Sequence, residues 1–296
     1  MKARDIASYV FLAVIWGLSF VVLLRVVAAF GWVGAVTLRC FVAAATLFVI
    51  AAVTRRRMNF SAGWRPFALV GATTVAGQLI GLSFGLPLIG TAMSAIVVAT
   101  IPLFSMLIAR LWGIERLTRR HLFGLVLGLA GMVVLVGFPA VPFTADFAIG
   151  CASTLLACLS AAFGSCYASF RLRGVSSWDI TAGSFLAGGI MTVPLLAFVP
   201  VPGTPHLIDF GYLLILGAVM SATTYVLYFR LVATIGATKA ISVEFAVTVV
   251  AVLVGALILH EPLSAMQIAG AATIIGGCAL VIGIIPDWPV ARHRRP

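Results

Sequence analysis

Acidic side chains are the scarcest resource in this chain: eight Asp and Glu stand among 296 residues, and charged residues of both signs together make 9%. So few charges cannot cover a water-solvated surface. The aspartates, Asp5, Asp146, Asp179, Asp209 and Asp287, are all expected at membrane interfaces, whereas an intramembrane carboxylate dyad needs two acids close together. The five cysteines, Cys40, Cys151, Cys158, Cys166 and Cys278, lack metal-ligand spacing and read as small apolar fillers without disulfides. His121, His206, His260 and His293 never pair at ligand spacing, so neither a metal site nor a metalloprotease is expected. A Gly-rich phosphate loop is also missing, which argues against drive by ATP. The sequence offers no cofactor site, no basic stripe with interleaved aromatics for nucleic acid, and no soluble module to house separate catalysis. An intramembrane enzyme or a channel is therefore a poor reading.

What is abundant is apolar surface: 62% of residues are hydrophobic and the mean hydropathy is +1.19. A helix rising 1.5 Å per residue needs about 20 apolar residues to cross roughly 30 Å of hydrocarbon. Runs such as Leu122 to Val136 are apolar all round, which favours helices over the alternating pattern of a barrel. The pattern predicts an all-α polytopic membrane protein with ten transmembrane helices near 6–28, 32–54, 66–86, 90–111, 122–138, 147–169, 179–199, 209–230, 237–259 and 266–285. The first span has no A-x-A-like cleavage site and is expected to be retained.

The formal net charge of +11 is read as orientation. With both termini cytoplasmic, every Lys and Arg except Arg25 and Arg39 falls on one face, while the connectors Phe138 to Asp146 and Pro200 to Asp209 carry none. The basic rim then meets lipid headgroups.

Sliding the chain against itself by 146 residues aligns Ile89-Gly90 with Ile235-Gly236, Glu115 with Glu261, Gly124 with Gly270, Gly131 with Gly277, and Gly71-Ala72 with Gly217-Ala218. One residue of slip sets Trp16-Gly17 on Phe163-Gly164. The expected organisation is a five-helix repeat over 1–140, a second over 141–286 and a basic cytoplasmic tail over 287–296. Five is odd, so the second repeat enters the membrane inverted, the arrangement that supports alternating access around a midplane site.

Residue types at membrane depth nominate the site. An ionisable group there is costly unless paired or hydrated. Arg39 and Glu244 are the two such groups; about seven residues from opposite span ends, they would differ in depth by roughly 10 Å. Arg39 reads either as a structural ligand for backbone carbonyls or as a coupling or gating contact. Glu244 reads either as a rim carboxylate paired with Arg230 or Lys239, or as a proton or amine site. Trp16 lies mid-span, away from the headgroup belts that Trp prefers, and with Phe163 at its repeat-related position it would wall a cavity that stacks flat apolar groups. Gln78, Tyr225 and Tyr228 would add polar edges, and Ser94 and Ser242 would line the paired spans; ordinary packing is the alternative for each. Spans one, three, four, six, eight and nine are the expected lining. Gly77, Gly81 and Gly85, like Gly124 and Gly128, form small-residue faces for close helix approach, and Pro87, Pro102 and Pro194 are expected at kinks. Ser264 with Gln267 is expected to form a capping box.

Trp16-Gly-Leu-Ser-Phe20, Arg39, Ile101-Pro102, Gly-Ile-Glu-Arg-Leu-Thr at 113–118 and His-Glu-Pro-Leu-Ser at 260–264 together resemble the EamA-type carriers of the drug/metabolite transporter superfamily, over essentially the whole chain. The resemblance implies an inner-membrane exporter of small metabolites, amino acids or drugs whose halves rock about a central cavity. Within the group the chain is most similar to the aromatic amino-acid exporters. A proton-coupled drug or nucleotide-sugar carrier is the alternative. One departure is Val247-Thr248, where many relatives carry Glu-Pro, so no role of that pair transfers. Its first-half counterpart keeps Pro102. The oligomeric state is open.

Overall fold

The structure is a computed structural model that describes residues 3–113, 119–137, 143–235, 240–241, 243–260 and 263–282. The described residues are helical, with no strand among them. In chain order the helices are α1 (Ala3–Val53), α2 (Trp64–Ile89), α3 (Thr91–Leu111), α4 (Arg119–Gly137), α5 (Ala145–Arg171), α6 (Ser177–Ala197), α7 (Leu207–Ile235), α8 (Val243–Leu257) and α9 (Ala265–Ile282). Six of them, α1, α2, α3, α5, α6 and α7, are long and apolar enough to cross a membrane, and the others are shorter apolar helices.

The 51 residues of α1 would run about 75 Å if straight, more than twice the hydrocarbon thickness. They do not, because Gly31 breaks the helix with φ 72° and ψ 163°. That backbone favours glycine, and a Cβ there would also press within 3.3 Å of Pro202 and 3.4 Å of the Pro200 carbonyl. The break falls at the connector expected between the first two spans, leaving a first arm with Trp16 and a second with Arg39.

Pro87 and Pro194 stand at helix ends, whereas Pro102 follows a mid-span break in α3, as expected. Pro87 lies in the last turn of α2, which closes on Gly90 at φ 80°. Pro102 opens the second half of α3, Ile101–Leu111, just after a break at Ala99 and Thr100, where its missing N–H is no loss. Pro194 opens the 3₁₀ turn Val193–Ala197 that ends α6. Further mid-helix irregularities are wide π turns, Gly71–Gly77 in α2 and Ile215–Thr223 in α7.

Caps follow local sequence. Thr144 Oγ1 accepts from the Phe147 amide at 3.1 Å to start α5. Ser264 and Gln267 form the expected reciprocal box at the start of α9: the Gln267 amide donates to Ser264 Oγ at 3.1 Å and the Ser264 amide to Gln267 Oε1 at 3.0 Å.

Glycines set the helix pairings. On α2, a Cβ at Gly81 would lie 2.8 Å from the Ser153 carbonyl and one at Gly85 2.7 Å from the Gly150 carbonyl, so α2 and α5 touch backbone to backbone. Ser153 Oγ donates to the Gly81 carbonyl at 2.9 Å across that seam. α4 packs on α9 in the same way. A Cβ at Gly131 would lie 2.9 Å from the Gly270 carbonyl, and one at Gly277 2.6 Å from the Gly124 carbonyl. The 146-residue shift turns each of these contacts into the other. It also carries Gly71–Gly77 into the π turn of α7. Gly71 packs on the Ser184 and Gly188 backbone of α6, and Gly217 on Val42 and Arg39 of α1. Side chains without polar atoms and backbones in close van der Waals contact are how helices associate in lipid, where hydrophobic exclusion offers little.

Candidate functional site

A central cavity of about 40 Å³ lies where α1, α2, α3, α7 and α8 converge. The first arm of α1 supplies Trp16, Ser19, Phe20 and Leu23, an i, i+3, i+4, i+7 stripe that presents one helix face. Arg39 comes from the second arm, Gln78, Leu79 and Leu82 from α2, Val98 from α3, Tyr225 from α7, and Glu244 with Val247 from α8. The volume is well below that of a small-molecule site, about 300–1,000 Å³, so a solute fits only when the helices part.

Aromatic rings form its firmest wall. The Trp16 ring lies 5.4 Å from both Tyr225 and Tyr228, tilted by 55° and 50°. Phe185 closes edge-on against Tyr225 at 5.0 Å. These separations are those of favourable tilted and edge contacts. Trp16 Nε1 donates to Thr224 Oγ1 at 2.9 Å, and that hydroxyl donates to the Met220 carbonyl at 2.8 Å. Tyr228 stands behind Trp16 rather than on the cavity, its hydroxyl donating to Ser165 Oγ at 3.0 Å. Ser19 Oγ donates to the Trp16 carbonyl at 2.7 Å. Gln78, half-buried, makes no side-chain hydrogen bond with the described residues.

Two ionisable groups share this cavity without pairing. Arg39 is 4% exposed and Glu244 8%. Arg39 Nε donates to Ser221 Oγ at 2.5 Å, and Ser221 donates in turn to the Leu216 carbonyl at 2.6 Å, within the wide turn of α7. Among the described residues that is the guanidinium's one hydrogen bond, and the Glu244 carboxylate has no hydrogen-bond or ion-pair partner. The pairing of Glu244 with Arg230 is not formed, and Lys239 lies outside the described residues. Thr248 secures the Glu244 turn, with Oγ1 2.7 Å from the Glu244 carbonyl and 2.9 Å from that of Ala95 on α3. Val247, at the departure noted above, faces the cavity.

The structure thus brings Trp16, Arg39, Gln78, Tyr225 and Glu244 together on the cavity, packs Tyr228 behind them, and sets Phe163 and Ser94 apart. Phe163 does not face Trp16. Its neighbour Gly164 is pressed against Thr73 and Thr74 of α2, and at about 100° per residue that turns the Phe163 ring away, onto Trp112 at 5.3 Å. The lining is therefore spans one, two, three, four, eight and nine of the expected series, with the second arm of α1 in place of span six. Ser94 is fully buried in α3, off the cavity, its hydroxyl without a partner among the described residues. Ser242 lies outside the described residues. Sequence reasoning missed Ser19, Phe20 and Leu23, although their spacing from Trp16 was readable. It also missed Ser221, whose role depends on the π turn and leaves no trace in sequence.

Arg25, the other basic residue outside the set expected on the cytoplasmic face, pairs with Asp209 at 3.4 Å, joining α1 to the first turn of α7. Asp209 Oδ2 also accepts from the His206 amide at 2.9 Å and caps that helix.

A multi-pass helical bundle that closes around a central cavity with unpaired buried ionisable groups is the architecture of a membrane transporter. The chain belongs to the EamA-like transporter family, whose model matches residues 6–137 and again 148–283. It is 25% identical over 90% of its length to 94% of a protein of Archaeoglobus fulgidus named as a transporter. It is also 31% identical over 64% of its length to 61% of the inner membrane transporter YedA of Escherichia coli (strain K12). A solved crystal structure superposes with a TM-score of 0.68 over 95% of this chain and 98% of that one, at 18% identity, a likeness of fold alone.

Proposed function

We propose that this transporter exports small amphipathic metabolites, aromatic amino acids foremost, across a bacterial inner membrane. One observation carries the reading. The tilted wall of Trp16 and Tyr225 stands in the same cavity as the unsatisfied Gln78 amide, so a flat apolar group has a stacking surface and a polar group has a partner.

The proposed organisation is ten crossings, with α1 counted as two, in two inverted five-helix halves over 1–140 and 141–286, and with both termini cytoplasmic. The double match of the family and the reciprocal glycine contacts of α4 and α9 support it. Alternating access then comes from rocking the halves about the cavity, with Arg39 and Glu244 as coupling or gating groups. The test is flux of labelled phenylalanine, tryptophan and threonine through purified protein in sealed liposomes, with and without an imposed proton gradient. Aromatic flux is expected; absence of amino-acid flux under both conditions rejects the substrate.

The unpartnered Glu244 favours one second reading, a proton-coupled drug or nucleotide-sugar carrier. In that case a pH gradient drives flux of such solutes and Glu244→Gln uncouples it. Flux indifferent to the gradient rejects the coupling.

A further inference from the structure

We propose that a groove between the ends of α3 and α5 binds an anionic phospholipid, with the headgroup phosphate on Arg171 and an acyl chain along Trp112, Tyr167 and Phe170. These four residues line an open hollow of about 430 Å³, separate from the central cavity and far larger than it. Tyr167, Phe170 and Arg171 are spaced i, i+3, i+4 and share one face of α5. Phe163, one turn earlier, props the Trp112 ring edge-on at 5.3 Å and 80°.

Depth identifies the occupant. α3 and α5 are each long and apolar enough to cross a membrane, and the hollow lies where both end. Hydrocarbon gives way to headgroups at that level, which Trp and Tyr favour. Trp112 and Phe170 are exposed, so the hollow faces outward to lipid rather than inward to the solute path. Arg171 stands about 6 Å along the helix from Tyr167, at its end, so a chain lying on the rings brings its phosphate to the guanidinium.

Charge selects the headgroup. Arg173 already answers the open carbonyls at the end of α5, its Nε donating to the Ser169 carbonyl at 3.1 Å. Arg171 makes no hydrogen bond or ion pair with the described residues. A guanidinium fork suits phosphate oxygens. No acid is among the described residues that line the hollow, and Arg110 and Arg173 stand at the same two helix ends. A headgroup of net negative charge therefore neutralises the site. Phosphatidylcholine brings a cation of its own, with no carboxylate there to receive it.

The test is native mass spectrometry of the purified full-length protein in detergent, titrated with dioleoyl phosphatidylglycerol or dioleoyl phosphatidylcholine. Phosphatidylglycerol is expected to bind about ten-fold more tightly, the scale of one charge-assisted pairing. Arg171→Gln is expected to erase that preference and Arg171→Lys to retain part of it. Phe170→Ala is expected to weaken both lipids alike, by about three-fold or more, because the wall is apolar. Arg4→Gln removes the same charge from an exposed position on α1, which does not line the hollow, and is expected to leave the preference intact. Equal binding of the two lipids, equal effects of Arg4→Gln and Arg171→Gln, or no effect of Phe170→Ala overturns the inference. Displacement of phosphatidylglycerol by inorganic phosphate assigns the hollow to a soluble anion and overturns it too. So does a dimer that Phe170→Ala dissolves, which would assign the hollow to a second copy of the chain. None of these readouts depends on solute flux.

Discussion

Trp16 of α1 and Thr224 of α7 are joined by a 2.9 Å hydrogen bond from the indole Nε1 to the hydroxyl, although 208 positions separate them in the chain. The bond fixes the ring that walls the cavity to the helix that supplies Tyr225. Trp16→Phe and Thr224→Val should each cost about 1 kcal/mol of stability, with a coupling of similar size in a double-mutant cycle of detergent melting. Additive losses would show that the bond contributes nothing. Trp16→Ala removes the ring as well and should slow flux while the protein still inserts.

Gln78 is the clearest polar test of the cavity, since its amide has no hydrogen bond to give up among the described residues. Gln78→Ala should therefore leave melting within about 0.5 kcal/mol of wild type and still reduce flux. Normal flux in the inserted variant would remove Gln78 from the solute path.

Neighbouring glycines on α9 separate close packing from helix propensity. Gly277→Ala places a Cβ 2.6 Å from the Gly124 carbonyl and 2.7 Å from the Gly128 amide, whereas a Cβ at Gly276 meets nothing within 4 Å. Gly277→Ala should destabilise by about 1–3 kcal/mol, and Gly276→Ala should be neutral or slightly stabilising. Equal melting of the two variants would contradict the α4 to α9 seam.

The ion pair between Arg25 and Asp209 is unequal, because Arg25 is 59% exposed and Asp209 5%. Solvent screens the pair, so Arg25→Ala should cost under about 1 kcal/mol. Asp209→Ala also removes the acceptor for the His206 amide and should cost about 1–2 kcal/mol. Melting at low and high salt checks both, and only the Arg25 loss should vanish in salt.

Orientation is open to labelling. Cys40, Cys151, Cys158 and Cys166 are buried. Gly203→Cys, with nothing within 4 Å of its Cβ, should react with an impermeant maleimide added outside intact cells, after Cys278→Ser has removed the remaining thiol. Reaction only after permeabilisation would invert the proposed topology.

Local signals were legible in the sequence and relative helix rotations were not. The Ser264 and Gln267 box depends on three residues of separation and was readable, as were the small-residue faces that carry Gly81, Gly85, Gly124 and Gly128. Mid-span polarity was enough to nominate Trp16, Arg39, Gln78, Tyr225 and Glu244, which meet at one cavity. Phe163 was nominated from repeat symmetry, but the second half places Gly164 against Thr73 and Thr74, and that packing decides where the neighbouring ring points. Ser221 was invisible because an i−5 bond to Leu216 arises from a wide turn set by packing, and hydrophobic periodicity does not encode it.

α4 and α9 meet through glycine backbones, and none of their described residues lines the cavity. Their seam leaves few side chains to vary, and the cavity places no demand on it. Substitutions among the cavity residues of α1, α2, α7 and α8 can therefore alter what the cavity accepts without touching the seam that assembles α4 on α9.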